Sequence, residues 1–493
     1  MKTILSILSI LTIFCTFRIN AQSNYIGSGI TSNFDGTTGT EVDLGDVYND
    51  INFPITIEAW VYPTSWNPSG DYSPIMATDN TLDGSYYGYW FRFNNLGRLI
   101  FEIGDGSGSG PGDRRGKVTT TSITLNKWTH VSVVATSATD LNFYFNGILQ
   151  PNTSAGGSAT NTSMVHFTYP AYLGHHQTST GDHKFDGSID EVRLWTYSRS
   201  QSELRDHMCS KLSGTEDGLL GYWNFDESYV SSDVMDITTP SENGVIMGGV
   251  TKSTSGAPIG NVSINQYLAD WEGVKMKLDS ENDDYLRIKK IMNNPLGMHL
   301  YRVDSEPYYN DGPTNSTDYY FGIFPIDGVT PVEYGIAYKF SGSNGVTTVE
   351  NRLQSTLFAK NNGSVETWSD HEAVIDLVQN FIRKTGNTTR LELIFNIAEP
   401  LVDPGEGDLK VKKDSEQISV FPNPTSSNII IKNIPDNSIV RIGDIFGNIV
   451  LTEKIDSRIE NYSVNITNLS AGTYLIYLES EGVVSTGKFV VTK

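Results

Sequence analysis

Ile55-Thr56-Ile57-Glu58-Ala59-Trp60-Val61-Tyr62-Pro63 is the stretch on which the reading of the fold turns. Ile55, Ile57, Ala59 and Val61 alternate with Thr56, Glu58, Trp60 and Tyr62. That period of two belongs to a strand in a sheet with two different faces. Pro63 ends the run, because proline has no backbone donor for a sheet ladder. Outward from it the pattern repeats. Thr129 to Thr136 is β-branched; Leu141 to Phe145 runs into Asn146-Gly147, a strong hairpin turn, and Ile148-Leu149 returns. Ile189 to Trp195 and Leu219 to Phe225 are further strands. Tyr319 to Phe324, Glu333 to Phe340 and Leu391 to Ile397 are strands of a second stretch. Val440 to Ile445, Tyr474 to Leu478 and Lys488 to Thr492, with a turn at Phe446-Gly447-Asn448, form a third. Two helices are expected. One follows the capping box Ser200-x-x-Glu203. The other follows Ser369-x-x-Glu372, with Val374, Leu377, Val378, Phe381 and Ile382 on one face. The Gly-rich stretches Gly104 to Gly116 and Ala155 to Ser158 are expected as surface loops.

The chain has 493 residues, which suggests about three domains. Its 38% apolar and 19% charged residues fit globular domains with polar loops rather than a disordered chain or a membrane bundle. The net charge is -22, with 57 acidic residues against 35 basic ones, which argues against nucleic acid as a partner. Met1-Lys2, the apolar run Ile4 to Phe14 and Asn20-Ala21-Gln22 have the layout of an export signal cleaved after Ala21. No later stretch is apolar enough to span a bilayer. Of the two cysteines, Cys15 leaves with the signal, so Cys209 alone remains and no disulfide framework exists. Boundaries are expected near Ser253 to Gly260 and at the polar linker 403–415, dividing the chain into 1–21, 22–260, 261–402 and 416–493.

The last unit carries, in order, Val420-Phe421-Pro422-Asn423-Pro424-Thr425, Ile445-Phe446-Gly447-Asn448-Ile449-Val450, Leu469-Ser470-Ala471-Gly472-Thr473-Tyr474-Leu475 and Gly487-Lys488-Phe489-Val490-Val491-Thr492-Lys493. This set resembles the type A C-terminal sorting domain of the type IX secretion system of Bacteroidota. The resemblance implies passage through that secretion machinery to the outer cell surface or the medium, with a small Ig-like sandwich as the sorting unit. The first unit carries Asn33-Phe34-Asp35-Gly36, Ile57-Glu58-Ala59-Trp60-Val61-Tyr62-Pro63, Lys127-Trp128-Thr129-His130-Val131, Phe143-Tyr144-Phe145-Asn146-Gly147, Phe185-Asp186-Gly187-Ser188-Ile189-Asp190-Glu191-Val192-Arg193-Leu194-Trp195 and Leu220-Gly221-Tyr222-Trp223-Asn224-Phe225-Asp226. Together these resemble the laminin-G-like, concanavalin-A-like jelly roll, which implies two antiparallel sheets, one concave and usually facing a ligand. The middle unit resembles β-sandwich modules of secreted Bacteroidota proteins. The expected class is therefore all-β: a jelly roll, a second β-sandwich and a small Ig-like sandwich.

Catalytic motifs are missing. Asp190 and Glu191 are adjacent, and a regular strand would aim them at opposite faces, unlike a glycosidase pair. His371-Glu372 lacks the second histidine of a zinc-protease helix. Cys209 near His207 has no recognisable partner motif, and His175, His176 and His183 lack the spacing of a zinc set. A structural calcium is expected from Asp35, Asp186 and Asp190, since hard oxygens in Gly-containing turns suit that ion. Ligand-facing rings are expected at Trp66, Tyr87, Tyr89 and Trp90. The function expected is non-catalytic binding of an extracellular glycan. The alternatives are a protein-binding adhesin or, third, a polysaccharide-degrading enzyme.

Because the tail is a separate unit behind a polar linker, deleting Glu416 to Lys493 is expected to trap the protein in the periplasm with its other domains folded. Cell fractionation and surface labelling check this; normal surface display of the truncated chain would contradict it.

Overall fold

The computed structural model describes residues 28–492 apart from 67–71, 80–83, 179–180, 281–282, 306, 308–315, 341–355, 361–367, 377–378, 397–419, 445–448 and 481–482. The signal segment, the linker 403–415 and the turn at Phe446-Gly447-Asn448 lie outside the described residues.

Among the described residues the alternating segments pair into antiparallel sheets. The strand Ile55–Pro63 lies between Thr129–Ala135 and Asp186–Trp195, in an eight-stranded sheet. A nine-stranded sheet faces it, with Ser73–Ala77, Tyr89–Phe93, Leu99–Gly104 and Arg114–Thr119 side by side. Ile55, Ile57, Ala59 and Val61 meet Tyr89, Phe91, Phe93 and Phe101 in the core between the two sheets. The Gly104 to Gly116 stretch is only partly loop, since Pro111–Asp113 is a 3-10 turn and Arg114–Thr119 a strand.

The opposite face of Ile55–Pro63 is buried as well. Thr56, Glu58 and Trp60 are wholly covered. The cover is the helix Gln201–His207 and the middle domain. The helix forms as its capping box requires: the Ser200 hydroxyl accepts from the Glu203 amide, and the Glu203 carboxylate accepts from the Ser200 amide. Two arginines tie it to the sheet. Arg199 donates to the carbonyl of Glu203 at 2.8 Å, and Arg193 donates to that of His207 at 3.0 Å. Glu58 anchors this set, accepting from Arg199 at 2.6 Å and from the Trp195 indole at 2.8 Å, with His130 at 3.2 Å. Burial alone would raise the Glu58 pKa; Arg199, then His130 and Arg193, reverse that and hold it well below the carboxylate range.

The middle domain is a second sandwich, of a six-stranded and a five-stranded sheet. Its six-stranded sheet packs on the jelly roll through Tyr301, Tyr320, Phe324 and Ile394, against Trp60, Trp128, Met208 and Cys209. Trp60 meets Phe324 edge-on at 5.4 Å and donates to the carbonyl of Met208 at 2.6 Å. The Tyr267 hydroxyl donates to the carbonyl of Asn146 at 2.9 Å. Cys209 is fully buried in this layer, and burial pushes its thiol pKa up. The helix expected after Ser369 is not formed. Ser369–Asp370, Val374–Asp376 and Phe381–Asn387 are strands, and Glu372 and Asn380 have positive φ, which breaks a helix. The spacing of Val374, Phe381 and Ile382 fits a helix by number only; pairing with Glu333–Lys339 decides for sheet.

The C-terminal unit is a small sandwich of three and four strands. The motif Pro422-Asn423-Pro424 is bound to the last strand: Asn423 accepts from the Val490 amide at 2.8 Å and donates to the Lys488 carbonyl at 2.9 Å.

Replacing Glu58 by Ala leaves Arg199 and Arg193 buried beside an empty acceptor. The expected loss is about 3–5 kcal/mol from the jelly-roll transition, measured by urea unfolding at pH 7. Because the folded carboxyl is depressed, the wild-type advantage is present above the unfolded value near 4.5 and shrinks as pH falls below it. An equal midpoint for the two proteins would refute the anchor role.

Candidate functional site

The outer face of the nine-stranded sheet is where the fold leaves room for a ligand, and much of it is already filled. Gly174 ends the strand Ala171–Leu173 with φ +77°, and a Cβ there would meet the Phe34 ring at 2.2 Å. From this turn the hairpin His175–Thr178/Gly181–Lys184 folds over the sheet. His176 lies over Trp90 with ring centroids 5.0 Å apart, and Tyr86 meets Trp90 from another side at 4.9 Å. Arg92 pairs with Glu102 at 2.5 Å, reaches His176 Nδ1 at 3.1 Å and lies over the Tyr72 ring at 3.6 Å. Burial, then Arg92 and His183, push the His176 pKa well down. For His175 burial works the same way, but Glu41 and Asp182, each at 2.7 Å, outweigh it and raise the pKa. The three histidines therefore pack and pair between the hairpin and its surroundings.

Of the four expected ligand rings, Tyr89 points into the core and Trp90 is 1% exposed under the hairpin. Neither offers a face to solvent. Trp66 is half-buried and packs on Phe93 at 5.2 Å. Tyr87 precedes the strand Tyr89–Phe93, and its ring partners are elsewhere. The structure thus does not bring the four together. It brings Tyr87 to Phe167 and Tyr169, with centroid separations of 5.4, 6.0 and 5.1 Å among the three rings and mutual tilts of 31–48°. Phe167 is 50% exposed, and the two tyrosines are half-buried.

This cluster rests on a fixed base. Asp79 accepts from the Phe167 amide at 2.6 Å and from His166 at 2.8 Å, and the other His166 nitrogen lies 2.8 Å from the Ile51 carbonyl. Both ring nitrogens face acceptors, which favours the doubly protonated imidazole; burial opposes this, but Asp79 wins and the pKa is raised. Gly106, at φ +75°, lets the Gly-rich loop close against Tyr87, where a Cβ would come within 2.9 Å of the ring. Phe167 and Tyr169 were missed in the sequence because they belong to no strand. Their only signal is two rings before Pro170 in a Ser/Thr-rich loop.

The expected calcium residues are not gathered in one place. Asp35 and Asp186 face each other across paired strands. Asp35 Oδ1 takes three donors, from the Thr37 amide and hydroxyl and the Thr40 hydroxyl; Asp186 takes the hydroxyls of Thr64 and Ser65. Asp190 is buried elsewhere, bonded to the Ser255 hydroxyl and the Glu191 amide. Among the described residues no group of three or more His, Cys, Asp or Glu is placed to hold a metal ion. Asp35 and Asp186 lie together and Asp190 apart, so the three carboxylates do not form one cluster.

Asp190 and Glu191 also break the expected alternation. Ile189, Val192 and Leu194 all face the core, so one residue is extra, and Glu191 carries it with φ +52°. At this bulge the strand exchanges its neighbour Ile30–Asp35 for Leu219–Trp223. Both acids consequently sit off the core, on the covered side. Glu191 accepts from Arg193 and from the Tyr222 hydroxyl, each at 2.5 Å, while Lys211 pairs with the nearby Asp226 at 2.8 Å. Burial, then the mutual repulsion of these carboxylates, pushes the Asp190 pKa well up. Both acids are almost wholly buried.

Comparison with known proteins agrees with this architecture. Residues 35–205 match the concanavalin A-like lectin/glucanases superfamily, and residues 419–492 match the secretion system C-terminal sorting domain. Among curated proteins none matches the chain. Among solved structures, a protein of Bacteroides ovatus assigned to carbohydrate binding aligns at 19% identity and TM-score 0.34 over 48% of this chain, and the alignment spans only 62% of that protein. The sialidase module CBM40 of Ruminococcus gnavus bound to α2,3-sialyllactose aligns at 16% and 0.27 over 36% of this chain and 97% of its own. A heptameric SAP-like pentraxin of Limulus polyphemus aligns at 13% and 0.26 over 36% and 81%. Likeness at this level is no argument about a ligand. No helix among the described residues is long and apolar enough to cross a membrane.

An aspartate with a raised folded pKa keeps its proton when the unfolded chain, titrating near 3.8, has lost it, so stability drains away as pH rises through that interval. Asp190→Asn cannot ionise and keeps the side-chain shape. It is expected to raise the melting temperature at pH 8 by about 2–4 °C and to change it little at pH 4. Calorimetry at the two pH values checks this, and a uniform destabilisation at both would count against it.

Proposed function

From a laminin-G-like domain carried ahead of a type IX sorting domain, which marks the chain for the outer cell surface or secretion, we propose a non-catalytic glycan-binding protein. The platform is Tyr87, Phe167 and Tyr169. The observation that carries this reading is the three-ring cluster, half-exposed at Phe167 and held from behind by Asp79, His166 and the Gly-rich loop. Rings fixed in this way offer flat apolar faces to the C–H side of a sugar, at little cost in side-chain entropy. The polar rim comes from the loops beside them, including Asp105, Ser107 and Asp113. The buried state of Asp190 and Glu191 supports binding without turnover, because neither carboxyl reaches solvent.

A glycan array on the purified full chain, followed by calorimetry with the best saccharide, tests the proposal. Phe167→Ala should weaken binding by about 1–2 kcal/mol, the scale of one lost ring contact. A blank array, or undiminished affinity in that variant, would remove the platform.

A further inference from the structure

The middle domain carries a feature at odds with the strongly acidic composition. Its six-stranded sheet is used up on the jelly roll, and its five-stranded sheet faces away. In that outer sheet Met276, Leu278, Leu286, Ile288, Ile336, Tyr338 and Ile382 point into the core. The alternate residues point out, and they are mostly basic. Lys277 stands opposite Arg287, Arg287 opposite Ala337, and Ala337 opposite Arg383. In the next row Tyr285 stands opposite Lys339, and Lys339 opposite Phe381. Lys289 continues the Arg287 side of the face, and Lys275 and Lys290 flank it.

Two rings act as spacers for these cations. Lys277 lies 4.5 Å from the Tyr285 centroid, and Arg287 lies 5.3 Å from both Tyr285 and Phe381. Arg383 and Lys339 lie over Phe381 at 4.7 and 5.0 Å. Acids offset only part of the charge. Asp279 pairs with Lys277 where both are largely exposed, and Asp376 pairs with Arg383 at 2.6 Å. Lys275 and Lys289 make no ion pair among the described residues. Like charges directly across a sheet are destabilising, so this array costs the fold stability. The repulsion is felt at Lys289, whose pKa is lowered by burial and then by Arg383, Lys290, Arg287 and Lys275. Tyr477 of the C-terminal unit lies near Asp376 and Arg383, at one edge of the face. Lys277, Arg287 and Lys289 are on the other side of it.

We propose that this outer face, centred on Lys277, Arg287 and Lys289, is a second binding site that takes an anionic polysaccharide carrying carboxylate or sulfate groups. The site goes beyond the ring platform of the jelly roll and does not depend on it. Lys277 and Arg287 on neighbouring strands, about 5 Å apart, with Lys289 two residues along, spread several charges over the face and suit a polymer with repeated charges better than a single small anion. Phe381 is buried and Tyr285 already carries Lys277 and Arg287, so the face offers no open aromatic platform of the kind that stacks bases, which disfavours single-stranded nucleic acid. A cell-surface protein with a net charge of -22 would otherwise be repelled by acidic polymers, and a local cationic face overcomes that at short range.

Binding of the purified full chain to immobilised heparin, polygalacturonate, dextran and an oligothymidylate tests the proposal. Heparin or polygalacturonate should be retained and dextran not; retention by polygalacturonate assigns carboxylate, and retention by heparin alone assigns sulfate. With three charges neutralised, affinity should fall roughly twenty- to fortyfold between about 50 and 200 mM salt. The triple variant Lys277→Ala, Arg287→Ala, Lys289→Ala should lose at least tenfold in affinity. If its melting curve shows misfolding, the single variant Lys289→Glu serves, with a smaller loss expected. Phe167→Ala should leave heparin retention unchanged, which separates this site from the platform. Wild-type affinity in a folded variant, equal retention of dextran, or an oligothymidylate bound as tightly as heparin would each overturn the proposal.

Discussion

The buried carboxylate of Glu58 is the contact on which the arrangement of domains depends. It sits on the face of the eight-stranded sheet turned away from the jelly-roll core. There it gathers Arg199, His130 and the Trp195 indole, with Arg193 beside them. These groups could not be buried singly without a large desolvation cost; paired, they offset much of it, although His130 Nδ1 and the Nε atoms of Arg193 and Arg199 have no hydrogen-bond partner. Arg199 and Arg193 then hold the helix Gln201–His207 by the carbonyls of Glu203 and His207. Beside these paired charges, Trp60 and Trp128 form an apolar layer with the middle domain. Among the described residues of these two domains, four large sheets lie in sequence with three apolar layers between them.

This explains where binding surfaces are absent as well as where they are found. In the sequence motifs that carry the family likeness, Ala59, Val192 and Leu194 face the core, while Glu58, Trp60, His130, Asp190, Glu191, Arg193 and Trp195 converge on the covered face. They build the scaffold. The outer face of the nine-stranded sheet is in turn sealed at its centre by the hairpin over Trp90 and Arg92. What remains exposed is the rim, where loops from distant parts of the chain bring Tyr87, Phe167 and Tyr169 together. At the opposite end of the stack the middle domain shows its cationic sheet. The two faces differ in chemistry, one aromatic and one basic, and each is suited to its own class of polymer.

The fold class, the strands near Ile55, Thr129, Leu141 and Ile189, the capped helix after Ser200 and the sorting unit were all legible in the sequence. Each of these signals is local: a period of two, a turn dipeptide, a cap, an ordered motif. The helix expected at Val374 to Ile382 was not, because its apolar spacing satisfies two periods and strand pairing with Glu333–Lys339 decides between them. The site was less legible than the fold. Tyr87, singled out as a ligand ring, packs with Phe167 and Tyr169, whereas Tyr89 and Trp90, from the same run, are packed away. Strand alternation tells that two faces exist, and not what lies on each.

The sequence by itself therefore determined the all-β class, the export route and the lack of a disulfide framework, since these rest on composition, periodicity and linear motifs. Only the tertiary structure decided which faces are covered, that a bulge at Glu191 turns two neighbouring acids to the same side, that three rings from two loops meet, and that scattered lysines and arginines form one sheet face. The physical reason is that burial, register and charge clustering depend on segments far apart in the chain. Their pairing is fixed by the packing of whole sheets and not by any local preference.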